Sequence, residues 1–359
     1  ILSLYKARYE KEAPITVTRG KVHEYLGMTI DYTEKGKVKF TMFDYITNML
    51  ADLPMDMNGE AATPAPIHLF QVNETDPEKL DEDTAQMFHH NVAKLLFLSK
   101  RARPDIQTAV AFLCTRVRAP DTDDYKKLAR CMRYLRQSIE LPLILEADGA
   151  NIIKWWVDGA FAVHNDMKSH TGALMSLGKG AAYATSTRQK LNTRSSTEAE
   201  LVGVDDVMAL VMWTRYFLEA QGYTIDDNIV YQDNQSAMLL EKNGRGSSGK
   251  RTRHINIRYF FVADRIASNE MRVEYCPTGD MIGDFFTKAL QGSLFRKFRD
   301  LILNVRQEDF PMYRSIMERY DASNKPDSSQ ECVGENVQTE KVSGITHDST
   351  KRTVTWAKP

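Results

Sequence analysis

Residues 195–237, SSTEAELVGVDDVMALVMWTRYFLEAQGYTIDDNIVYQDNQSA, decide the fold class. Ser195 and Glu198 form an S-x-x-E capping box, in which side chains satisfy the first free amides of a helix. Behind it Leu201, Val204, Met208, Val211 and Phe217 recur at helical spacing, and Gly222 ends the run. NIVYQ (228–232) then reads as a strand, Asp233 follows, and SAMLLEKN (236–243) reads as a short helix. The period of the apolar pattern changes from helix to strand and back, which is the mark of an α/β unit.

Working outward, IIKWWV (152–157) is a strand ending at Asp158, and HTGALMSLG (170–178) and AAYATST (181–187) are two more. Downstream, HINIRYFFVADRIAS (254–268) is a helix, RVEYC (272–276) a fifth strand, and MIGDFFTKAL (281–290) begins a final helix. This order predicts a mixed sheet with helices on its faces. Asp158, Glu200, Asp233 and Asp284 sit at the ends of these separate apolar segments. Each alone has a structural reading, because helix N-termini tolerate acids and strand ends reach solvent. Together they would repel, at a cost that a divalent cation relieves. If the strands before Asp158 and Asp233 are neighbours, the two aspartates lie side by side. Glu198 competes with Glu200 for the helix position, but already has a capping role.

The remaining chain bounds the reading loosely. Its 359 residues carry 47 Lys+Arg against 48 Asp+Glu, so a net charge of -1 names no partner. Cys114, Cys131, Cys276 and Cys332 show no CxxC or zinc spacing and read as free thiols of a reducing compartment. No signal peptide is evident, and no apolar run approaches the ~20 residues of a membrane helix. A start at Ile1 suggests a piece of something longer. HEYLGMTIDYT (23–33) and KVKFTMF (37–43) read as two strands joined by a turn at 34–37. A polar segment with Pro54, Pro64 and Pro66 leads to an acidic linker ending near Asp83 or Thr84. Pro104 and Pro120 divide 84–139 into three helices. The third bears Lys126, Lys127, Arg130, Arg133 and Arg136, either a solvated face or a contact for a nucleic-acid backbone. The segment 321–359 is too polar to bury a core and reads as disordered.

MKSHTG, SSTEAEL, QDNQSA, RTRHINIRYFF and DFFTKAL, in this order, resemble the ribonuclease H domain of copia-type LTR retrotransposon Pol polyproteins. EYLGMTID, FHHNVAKLLFLSKRARPDIQTAV and KKLARCMRYL resemble the reverse-transcriptase region that precedes it. The resemblance implies a C-terminal part of the polymerase palm over 1–65 and a helical thumb/connection region over 66–148. It further implies a ribonuclease H-like mixed five-stranded sheet with flanking helices over 149–305, and a mostly disordered tail over 306–359. Asp158, Glu200, Asp233 and Asp284 then match the family's metal-binding catalytic carboxylates, which hold two Mg2+ ions, with Mn2+ as a substitute. One departure is Gly159-Ala160-Phe161, where such sequences often carry another acid.

Two divalent ions about 4 Å apart can activate a water and stabilise the leaving oxygen of a phosphodiester. The expected activity is Mg2+-dependent endonucleolytic cleavage of the RNA strand of RNA–DNA hybrids. Such a duplex is recognised by shape and 2′-hydroxyls. Around 241–258, Lys242, Arg245, Lys250, Arg251, Arg253 and Arg258 face only Glu241, a local charge of +5. Lys250, Arg251, Arg253 and His254 are candidate nucleic-acid contacts, as are Arg188, Lys190 and Arg194; His254 at the rim has packing as its alternative. GVDDV (203–207) lacks the aromatic and hairpin flanks of a polymerase motif, so polymerisation is not expected. The second reading is an inactive or domesticated relic that binds nucleic acid without cutting it. The implied partners are the hybrid and the upstream polymerase part, with no membrane. The implied location is cytoplasmic, in a virus-like particle, with the nucleus as an alternative.

Overall fold

The structure, a computed structural model, describes residues 1–75, 77–244 and 256–306. It opens with α1 (Leu2–Tyr9), β1 (Val22–Tyr25), β2 (Met28–Asp31), β3 (Lys37–Thr41) and α2 (Phe43–Ala51). The stretch 23–33, expected as one strand, is a hairpin. Leu26 and Gly27 take positive φ of 52° and 73°, the backbone that a tight two-residue turn demands.

Three helices follow as expected: α3 (Glu82–Ser99), α4 (Gln107–Arg116) and α5 (Thr122–Gln137). The Asp81 carboxylate caps α3 by accepting from the Thr84 amide, and Asp121 and Asp124 form a capping box at α5. Pro104 opens the turn that leads into α4, where its missing amide costs nothing.

The second half contains β4 (Leu143–Ala147), β5 (Ile152–Ala160), β6 (His170–Ser176), β7 (Gly178–Lys179), β8 (Tyr183–Arg188) and α6 (Ser196–Ala220). After these come β9 (Asp227–Gln232), α7 (Gln235–Asn243), α8 (Asn256–Ala267), β10 (Arg272–Tyr275) and α9 (Gly292–Leu303). Five strands form a mixed sheet in the order β10-β9-β5-β6-β8. β9 and β10 run parallel to β5, whereas β5, β6 and β8 form an antiparallel meander. This is a ribonuclease H-like α/β unit. A separate antiparallel sheet, β1-β2-β3-β4-β7, takes strands from both halves of the chain.

Side chains alternate across β5 with period two. Ile153, Trp155 and Val157 bury beneath α6, with Val204, Val207, Met208 and Val211. Trp156 and Asp158 take the opposite face. That face is covered by α9 and by the helical layer α3–α5, and one apolar core runs from Met42 through Phe88, Phe112 and Leu135 to Leu174, Phe286, Phe298 and Ile302. Among the described residues no helix is long and apolar enough to cross a membrane, and Cys114, Cys131 and Cys276 are free thiols. The expected disordered tail lies outside the described residues.

The segment 281–290 differs from expectation. Ile282–Phe286 is a 3-10 turn, not the start of the last helix, and α9 is a separate element. Gly283 lies against the Asp158 backbone, and the Thr287 hydroxyl leaves the turn to reach the Asp158 carboxylate. Gly292 then takes a positive φ of 59° where α9 begins.

Because Phe298 is fully buried in the core shared by the helical layer and the sheet, Phe298→Ala should cost about 3–5 kcal/mol. Urea denaturation should give one coincident transition by far-UV circular dichroism and tryptophan fluorescence. An early, separate melting of either probe would contradict a common core.

Candidate functional site

β5 and β9 are adjacent and parallel, with Trp156 opposite Tyr231. Two residues on, Asp158 and Asp233 stand side by side at the same end of the sheet. The Ile282–Phe286 turn packs against this point and adds Asp284. One carboxylate oxygen from each of Asp158, Asp233 and Asp284 lies within 4.8 Å of the others. Asp158 and Asp284 are buried and Asp233 is half-buried.

Glu200 is outside that trio but borders it. It is buried in the early part of α6, and its Oε2 accepts from the Gly159 amide at 3.0 Å. Gly159 makes this contact possible, since a Cβ there would lie 2.4 Å from the Ala199 carbonyl oxygen. A side chain at 159 therefore has no room. Glu198 points elsewhere, accepting from the Arg194 amide at 2.8 Å, while Ser195 accepts from the Glu198 amide.

Burial and mutual repulsion raise the pKa of three of these carboxylates. Burial raises Asp158 above the ordinary carboxylate range, against the pull of Lys288. Glu200 is raised well above its usual value by burial, then by Asp158 and Asp233. Asp284 is pushed up to about 7 by burial and by Asp158. Two residues missed by sequence reasoning moderate this repulsion. The Lys288 ammonium lies 2.6 Å from Asp284 Oδ1 and 3.9 Å from Asp158 Oδ1, and the Thr287 hydroxyl donates to Asp158 Oδ2. Burial works against the charge on Lys288, but Asp158 and Asp284 outweigh it and raise its pKa. Their spacing, three and four residues after Asp284, was the available signal.

Among the expected nucleic-acid contacts, Arg188 at the end of β8 and Lys190 and Arg194 between β8 and α6 are exposed, with Arg188 paired to Asp166. Lys250, Arg251, Arg253 and His254 lie outside the described residues. The basic face of α5 is not a solvated one. Lys127 is buried, bonding the Gln71 carbonyl at 2.5 Å and Asp123 at 2.8 Å. Arg130 bonds Thr63, and Arg133 bonds the Asn58 and Asp56 carbonyls. These cations satisfy backbone oxygens of the preceding segment, and of the five only Lys126 is exposed. Asp205 and Asp206 of GVDDV lie inside α6, paired to Arg258 and Thr171.

No family model matches the chain. Over 289 residues it is 27% identical to the retrovirus-related Pol polyprotein from transposon TNT 1-94 of Nicotiana tabacum, covering 79% of this chain and 22% of that one. Over 202 residues it is 30% identical to the corresponding polyprotein from transposon RE1 of Arabidopsis thaliana, covering 56% of this chain and 14% of that one. A solved structure, RNase H1 of Halobacterium salinarum NRC-1, aligns at 15% identity over 35% of this chain and 86% of that one, with a TM-score of 0.23. The fold rests on the strand order itself. The chain spans 22% or less of the length of the two polyproteins. It is a relative of the retrovirus-related Pol polyproteins of plant transposons.

Proposed function

We propose that this chain is the ribonuclease H part of a retrotransposon Pol polyprotein and hydrolyses the RNA strand of RNA–DNA hybrids with Mg2+. The observation that carries this reading is the meeting of Asp158, Asp233 and Asp284, with Glu200 beside them, at one end of a ribonuclease H-ordered sheet.

The residues fit a hard divalent cation. All four offer carboxylate oxygens, three of them converge within 4.8 Å, and burial leaves their charges poorly compensated. Bound there, Mg2+ or Mn2+ would supply an activated water and charge stabilisation at the leaving oxygen. The protein supplies the rest. Asp158, Glu200, Asp233 and Asp284 are the catalytic and metal-holding carboxylates. Thr287 orients Asp158, and the 43% exposed Lys288 side chain can turn from Asp284 towards a phosphate oxygen. Arg188, Lys190 and Arg194, together with Lys250, Arg251, Arg253 and His254, track the backbone of the hybrid without reading its sequence. The partner in cis is the polymerase part of a longer polypeptide. Work in a cytoplasmic virus-like particle, or in the nucleus, would follow.

Cleavage of a labelled RNA–DNA hybrid with Mg2+ tests this reading. Asp233→Asn should lower the rate by about 100-fold or more while the protein stays folded, the scale set by disturbing a metal site. Equal rates in both proteins, or none in either, would sink it. Hybrid binding should weaken as salt rises, and Lys190→Ala should flatten that log–log slope by about one unit if Lys190 contacts a phosphate.

The carboxylate repulsion gives a second expectation. Asp284 titrates at about 7 in the fold against an ordinary 3.8. The stability linked to it is therefore present at low pH and lost as pH rises from about 4 to about 7. In chelator at pH 8, Asp284→Asn should raise folding stability by about 1 kcal/mol or more. Added Mn2+ should erase that advantage by stabilising the unsubstituted protein. A variant less stable than its parent in chelator would show that the Lys288 pair outweighs the repulsion.

A further inference from the structure

The turn that carries Asp284, Thr287 and Lys288 is held by two hydroxyls from different layers. Thr108 Oγ1, on α4, donates to the Phe285 carbonyl at 2.6 Å. Ser186 Oγ, on β8, donates to the Phe286 carbonyl at 2.7 Å. Both side chains are buried, Thr108 at 6% and Ser186 at 4% exposure, so neither bond is easily replaced by water.

The Ser186 arm has a defined direction. Ser186 gives its only proton to Phe286, so its contact with His170 Nε2 at 2.8 Å requires the histidine to donate. Burial pushes His170 down to about 3 and His164 to about 4, so both rings are neutral at pH 7; His170 Nδ1 is then an acceptor, and His164 Nε2 donates to it at 2.9 Å. Phe70 packs on both rings, 5.1 Å and 5.2 Å between centroids, and keeps them dry. The chain His164–His170–Ser186–Phe286 therefore works in one proton arrangement, with both rings neutral. Against the same turn, β6 presents Gly172, where a Cβ would lie 2.7 Å from Thr287 Cγ2 and 2.8 Å from Phe286 Cβ. The turn is thus seated on β6 and pinned at two successive carbonyls.

We propose that Thr108 and Ser186 are positioning residues that clamp the 282–288 turn, Ser186 being oriented by the His164–His170 pair. They fix where Thr287 and Lys288 meet Asp158 and Asp284. The helical layer, through Thr108, is on this view a working part of the carboxylate site as well as a cover for the sheet. The consequence for metal affinity rests on the proposed metal site. The consequence for the order of the turn does not.

The test uses the full chain and the variants Thr108→Val and Ser186→Ala, with Thr108→Ser and Ser186→Thr as hydroxyl-retaining controls. Amide hydrogen exchange is measured without metal at Thr287 and Lys288, whose amides donate to the Asp284 carbonyl. Each hydroxyl-deleting variant should lose about tenfold in protection there, with α6 amides unchanged, and the controls should retain it. Mn2+ affinity, read by electron paramagnetic resonance of the free ion, should fall about tenfold or more in the same two variants. Unchanged protection in both folded variants would overturn the clamp. If the parent protein binds no Mn2+, the metal reading fails, and exchange still decides the clamp. If Ser186→Ala does not fold, nitrogen-15 NMR of the parent protein decides that arm. Neutral Nε2–H tautomers at His164 and His170 support it, and an Nδ1–H tautomer at His170 overturns it.

Discussion

The site depends on how closely two stretches of backbone, α6 and the 282–286 turn, approach the strand around Asp158. α6 comes so near β5 that a Cβ at Gly159 would sit 2.4 Å from the Ala199 oxygen, and this brings Glu200 onto the Gly159 amide. On the other face the 282–286 turn rests on β5 and β6, with Gly172 leaving the space that Thr287 and Phe286 occupy. Interiors packed to this density do not yield to an added methyl without moving an element. The carboxylates come from a strand, a helix, a strand end and a turn. Their convergence is therefore a property of the packing between elements and not of any one loop.

That packing extends into the first half of the chain. Phe285, Phe286, Phe295 and Phe298 share one core with residues of α2 to α5. Beside it Arg103 and Asp105 form a fully buried bidentate pair, with Tyr134 donating to Asp105 at 2.7 Å and Arg103 bonding the Ser138 carbonyl at 2.7 Å. Burying such a pair is costly unless every polar atom is met, and this geometry fixes how α5 and the turn before α4 meet. The β4–β7 ladder adds a second tie, between the first sheet and the β6–β8 hairpin. The division suggested by family resemblance near residue 149 thus falls within a continuous set of contacts.

The parts legible in the sequence are those written in local period. α6 has its cap, stripe and terminating glycine, and the strands of the second sheet are runs of apolar and β-branched residues between turns. Three of the misreadings share one cause, a tertiary contact without a local signature. Residues 281–290 have a helix-forming composition, yet the bond from Thr287 to Asp158 spans 129 positions. The cations of α5 declare a charge and a face, but what meets that face is a set of backbone carbonyls from 56–71, which carry no side-chain signal. The hairpin at Leu26-Gly27 was hidden because a leucine seldom takes positive φ. Lys288 was in plain view within DFFTKAL, but its importance follows from the 3.9 Å to Asp158, which spacing alone does not reveal.

The charge at the site sets what a cation would relieve. If all four acids were ionised beside Lys288, three negative charges would remain in a largely buried volume. Two features oppose this: the pKa of Asp158, Glu200 and Asp284 is raised, which favours protons there, and one ammonium is shared between two carboxylates. The first is reversible, because a proton leaves when a stronger positive charge arrives. Two divalent ions would overcompensate the three charges by one, and one phosphodiester would restore neutrality. On the proposed metal reading, the desolvation that raises these carboxylates would favour the cations and an anionic strand arriving together, coupling cation uptake to substrate binding.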